Sequence, residues 1–131
     1  MEKEPMQYKL IKTQDFVKAA NPSPGQRARV DILTETDTAR HLNGIFGAIP
    51  PASPGDKIAY HYHNARESII QILSGDAIEM IEGKPVPLKP GDVIFIAPNT
   101  KHTLTNNSST QEVKYMEFFS PIAPDLVQVR N

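Results

Sequence analysis

The chain has 131 residues, with 14 basic and 15 acidic side chains, four histidines, 12 prolines and no cysteine. That length suits one domain that buries a core without disulfides, and the lack of cysteine excludes thiolate zinc sites, thiol catalysis and disulfide scaffolds. A formal charge of -1 leaves no basic surplus for nucleic acid, no run is long and apolar enough to span a bilayer, and the Met1–Pro5 start lacks the apolar core of a secretory signal, so a soluble cytoplasmic protein is expected.

Near the N-terminus, Thr13 is placed to cap a short helix whose Phe16 and Val17 would dock on the strands that follow. Strands are then predicted near Arg27–Leu33, Leu42–Ile49, Lys57–His63, Ser68–Leu73, Ala77–Glu82, Asp92–Ile96, His102–Asn106 and Val113–Ser120. Each is a short run rich in branched and aromatic residues, and the prolines gather at the junctions between them. Glu82-Gly83-Lys84 reads as a hairpin tip. Asn106 to Thr110 reads as a polar loop joining the last two strands. Short strands at such spacing indicate an all-β sandwich or barrel of antiparallel strands.

Three of the four histidines fall in a pattern suited to a metal. His61 and His63 sit in a predicted strand, where a period of two points both imidazoles to the same face. Glu67 follows closely and His102 comes about forty residues later. Two same-face imidazoles, a carboxylate and a distant third imidazole make a coordination set for a divalent transition metal. His41 has no such company and reads as a surface or strand-end residue. Tyr60 and Tyr62 alternate with the histidines and should point into the packing between sheets.

These residues resemble the cupin family. Gly55, His61, His63, Glu67 and Gly75 look like its first motif. Pro90-Gly91-Asp92, Ala97-Pro98-Asn99, His102 and Asn106 look like its second. The resemblance implies a single-domain jelly-roll β-barrel over residues 1–131, with its core at about 27–120 and its motifs at 55–75 and 91–106. It also implies one metal held by His61, His63, Glu67 and His102. Two departures stand out. Asn99 replaces the glycine of a turn and would take its left-handed conformation. Seven residues rather than six separate Glu67 from Gly75, so counting back from Gly75 puts Ser68 in the ligand slot. A carboxylate binds a divalent first-row metal far better than a hydroxyl, so Glu67 is the expected ligand, with a bulge absorbing the extra residue. Otherwise Glu67 faces out and three histidines alone hold the metal.

Iron, manganese, nickel and zinc all suit such ligands. Around an octahedral ion, three histidines and one glutamate leave two positions open, for a bidentate substrate or for substrate and dioxygen. The resemblance implies dioxygenase-like oxidation of a small molecule, or isomerisation or epimerisation of a sugar or keto acid. A non-catalytic barrel that binds metal and a small ligand is the other class. Arg27 and Arg29 share a strand face and could reach an anionic substrate, or could lie solvated on an edge strand. Gln71 shares strand parity with Glu67 and would be its hydrogen-bonding neighbour if Glu67 faces inward without a bulge; if the bulge falls between them, Ile70 and Ile72 line the pocket instead. Glu117 on the last strand is a further candidate contact, and no dedicated catalytic acid or base is evident. A homodimer is expected, with the segment before the first motif extending a sheet across a two-fold axis.

Overall fold

The computed structural model describes residues 7–17, 20–34, 36–38, 41–121 and 126–129. One short helix, α1 (Gln14–Val17), is followed by ten strands: β1 (Ala28–Leu33), β2 (Asn43–Ile49), β3 (His61–His63), β4 (Glu67–Ser74), β5 (Ala77–Ile81), β6 (Lys84–Leu88), β7 (Val93–Ile96), β8 (His102–Asn106), β9 (Val113–Ser120) and β10 (Leu126–Gln128). They form two five-stranded antiparallel sheets, in the orders β1-β2-β9-β4-β7 and β10-β3-β8-β5-β6. From β2 onward the chain crosses between the sheets at every step except the β5–β6 hairpin, as in a jelly roll.

The inner faces of the sheets meet in one core. Ile45, Ile70, Ile72, Leu88, Ile96, Leu104, Val113 and Tyr115 are among its members, and each fully buried aliphatic side chain contributes roughly 1.5–3 kcal/mol. A second cluster lies on the outer face of the first sheet. There Ile11, Phe16 and Ala20 of the N-terminal segment pack against Ile32, Phe46 and Ala48. Covered on both sides, β2 is buried along its whole length. Phe16 docks as the sequence suggests, while the Val17 side chain lies outside the described residues.

Two strands were hidden from sequence reading. β6 carries Pro85 and Pro87, which read as turn residues. It is an edge strand bonded only to β5, and an edge tolerates residues that cannot donate to a ladder. β10 pairs with β3 far from it in sequence. The strand expected from Lys57 is also shorter, with only His61–His63 in regular pairing. The hairpin tip falls as predicted: Ile81 pairs with Lys84 around Glu82 and Gly83, at φ 49° and 83°, the paired positive angles of a tight two-residue turn.

Candidate metal centre

β3 and β8 lie side by side, and His61 is the direct cross-strand partner of His102. His63 follows two residues on, on the same strand face. The three imidazoles thus converge, with possible ligand atoms all within 4.8 Å of one another. Ring centroids are 4.4 Å apart for His61 and His102, and 5.2 Å for His61 and His63. His63 and His102 are buried and His61 is half-buried.

A second contact orients the His102 ring. Nδ1 of His102 lies 2.8 Å from the Thr100 carbonyl oxygen, so it donates there and leaves Nε2 for a ligand. Burial, then the neighbouring His102 and His63 imidazoles, bring His61 down to about 3. It is therefore neutral at physiological pH, the state a metal needs. Three converging imidazoles, with the second nitrogen of His102 anchored, fit a divalent transition metal.

The structure places Glu67 elsewhere. It is exposed at the start of β4, outside the histidine group, while Ser68 beside it is buried. The reason lies in the position of the bulge. Pairing of β4 with β9 runs unbroken from Glu67 to Ile72 and shifts only between Ile72 and Ser74. Strict alternation before the bulge turns Ser68, Ile70 and Ile72 inward and Glu67 and Gln71 outward. Gln71 accordingly pairs with Met116 and Val93 and does not reach the histidines, whereas Ile70 lines their cavity. The set that converges is three histidines.

The cavity beside them is small, about 40 Å³, and is lined by Arg27, Arg29, Arg66, Glu79, Tyr115 and Glu117 as well as Ile70 and Leu104. Arg27, just ahead of edge strand β1, and Arg29 on it are both exposed and stand at its rim. Burial raises the Tyr115 hydroxyl, and the neighbouring Arg29 opposes that rise. Arg66 lies 3.2 Å from Glu117 and stacks over the Phe119 ring at 3.5 Å. Gly47, opposite Tyr115 in the β2–β9 pair, makes room for that ring: a Cβ there would sit 2.2 Å from the tyrosine Cζ. Arg27 also lines a second, wider cleft of about 430 Å³ with Pro50, Pro51, Lys57, Ile58 and Asn106.

Sequence reasoning did not single out Glu79. It is fully buried on β5, and burial, with the Glu117 carboxylate adding to it and Arg27 opposing, pushes its carboxyl up to about 8. A signal was present: Ala77, Glu79 and Ile81 share one strand face, and a lone acid between two apolar residues breaks an otherwise core-facing pattern. His41, by contrast, is exposed in the turn before β2 and lines neither cavity.

Known proteins resemble this chain in sequence and in fold. An oxalate-binding protein of Thermotoga maritima is 33% identical over 69 residues, which are 53% of this chain and 54% of that protein; this chain thus spans about half the length of that relative. Quercetin 2,3-dioxygenase of Bacillus subtilis is 29% identical over 65 residues, 49% of this chain and 19% of the enzyme. A solved structure of a double-stranded β-helix protein from Klebsiella pneumoniae subsp. pneumoniae superposes with a TM-score of 0.73 at 18% identity, covering 95% of this chain and 100% of that one. No helix among the described residues is long and apolar enough to cross a membrane. Residues 52–119, just over half of the chain and including all three converging histidines, match the family model described as the cupin domain, and on that match the chain belongs to the cupin family.

Proposed function

We propose that the chain is a metal-dependent enzyme acting on a small, oxygen-rich anion, with dioxygenase-like oxidation as its reaction. The observation that carries this is the convergence of His61, His63 and His102 beside a cavity rimmed by Arg27 and Arg29. The histidines would hold one divalent transition metal: iron, manganese, nickel or zinc. Such an ion, when bound, supplies Lewis acidity and, if iron, electrons for oxygen chemistry. With three protein ligands rather than four, room is left for a bidentate substrate and a further small molecule.

The chain's own residues would do the rest. The inner cavity takes only the head of a substrate, and the 430 Å³ cleft that Arg27 also lines has the volume for its body. The Arg27 and Arg29 guanidiniums match a carboxylate or enolate in charge and geometry. Ile70 and Leu104 exclude water and strengthen those contacts. The oxalate-binding and quercetin-oxidising relatives support a small oxygen-bearing ligand. The absence of cysteine suits a reducing, cytoplasmic setting.

A second reading, isomerisation or epimerisation of a sugar or keto acid, is favoured by two carboxyls in one cavity, Glu79 and Glu117, held in different environments. Oxygen uptake by the iron-loaded protein on a panel of 1,2-diones, catechols and keto acids separates them. Uptake that depends on substrate supports the oxidation; turnover of a keto acid without oxygen uptake supports the isomerase; binding without turnover of any member leaves a non-catalytic barrel.

A further inference from the structure

Glu79 lies on β5 opposite Leu104 of β8. Its side chain is fully buried, and neither carboxyl oxygen has a hydrogen-bond partner. Its neighbours on the same face of β5 are Ala77 and Ile81, both part of or packed against the apolar core. An apolar residue would satisfy the fold better, because a buried polar group without a partner bears its full desolvation cost. Such a residue in a native protein calls for a reason outside the fold.

Other groups of the cavity have partners within the protein. Glu117 pairs with Arg66 at 3.2 Å. Arg27 donates to the Leu104 carbonyl oxygen. His102 is tied to the Thr100 carbonyl. Glu79 is the acid of this cavity that the protein itself leaves unsatisfied, and it shares the cavity with the three histidines.

We propose that Glu79 is a ligand-binding residue whose carboxyl hydrogen-bonds an oxygen of a small carboxylate seated at His61, His63 and His102. Held in its protonated form by burial, the group is a donor and suits an anionic acceptor. Arg27 and Arg29 balance the charge of that anion from the rim. The position belongs to neither metal motif. The inference rests on the reading of the three histidines as a metal site.

The test uses the full chain, Glu79→Met and Glu79→Gln, with oxalate as probe and isothermal titration on the metal-loaded proteins. Both variants should take up metal as the parent does. Without metal, Glu79→Met should melt at a higher temperature than the parent, because it relieves an unsatisfied buried group. Glu79→Met should weaken oxalate by about tenfold or more, and Glu79→Gln should weaken it less because its amide still donates. Loss of metal from Glu79→Gln would overturn the proposal by making Glu79 a metal ligand. A lower melting temperature for Glu79→Met would overturn it in favour of a structural role. Unchanged oxalate affinity in Glu79→Met, or no oxalate binding by the metal-loaded parent, would also overturn it. A parent that takes up no metal would instead remove the metal reading on which it stands.

Discussion

The backbone amide of Asn99 donates to the carbonyl oxygen of His63 at 2.7 Å, tying the turn before β8 to the end of β3. The bond joins the two chain segments that carry the histidines. Asn99 adopts φ 62° to make it, a left-handed conformation that asparagine and glycine accept and β-branched residues resist.

Asn99→Gly should therefore be nearly neutral, and Asn99→Val should destabilise the fold by roughly 1–2 kcal/mol or more. Chemical denaturation of the two variants measures this. Equal stability would show that the turn does not depend on the angle.

Glu67 and Ser68 illustrate what spacing can and cannot give. Composition and residue types carry the family motif, so His61, His63 and His102 were legible as a group, as were the Asn99 turn and the Glu82-Gly83 hairpin. Which of two adjacent residues faces inward depends on where a bulge falls. Both counts were self-consistent, and ligand chemistry favoured Glu67. The bulge lies near Leu73, after the residues in question, and so cannot turn Glu67 inward. Glu79 and β6 escaped notice for related reasons. A single acid in a short strand looks like ordinary amphipathic alternation until its burial is known. Two prolines look like a loop until their strand is seen to lie at a sheet edge.

The same placement makes a prediction about metal. Glu67→Gln should leave metal affinity within about twofold of the parent, since an exposed group away from the site contributes little. Titration with a competing chelator reads this. A loss of metal on the order of 10–100-fold would return Glu67 to the ligand set.

Stability of the metal-free protein should depend on Glu79. Its folded carboxyl stands at about 8 against an ordinary 4.5, so between those values the folded state holds a proton that the unfolded state has lost. Stability then falls as pH rises from about 4.5 to about 8, by at most ~1.4 kcal/mol per pH unit, and levels off beyond. Burial is the main cause of this rise; of the charged groups facing Glu79, Glu117 adds to it and Arg27 opposes it. Glu79→Gln should remove this component of the slope. Identical pH profiles for parent and variant would contradict the assignment.

A homodimer is proposed through the first sheet. β1 is its outer strand, and edge strands invite pairing with a second copy. The N-terminal segment covers the face of its own sheet through Ile11, Phe16 and Ala20 and leaves that edge as the route to a partner. Light scattering should give twice the 14.5 kDa chain mass. A monomer mass across micromolar concentrations would rule this out.

The central claim is that His61, His63 and His102 hold one divalent transition metal, and the most direct measurement is metal content per chain by mass spectrometry across single histidine variants. The parent should carry about one ion per chain and lose thermal stability when a chelator removes it. His61→Ala, His63→Ala and His102→Ala should each lose most of the metal while remaining folded, and His41→Ala, exposed and away from the cavity, should keep it. A parent without metal whose melting is unchanged by chelator, or a His41→Ala variant as depleted as the other three, would contradict the account.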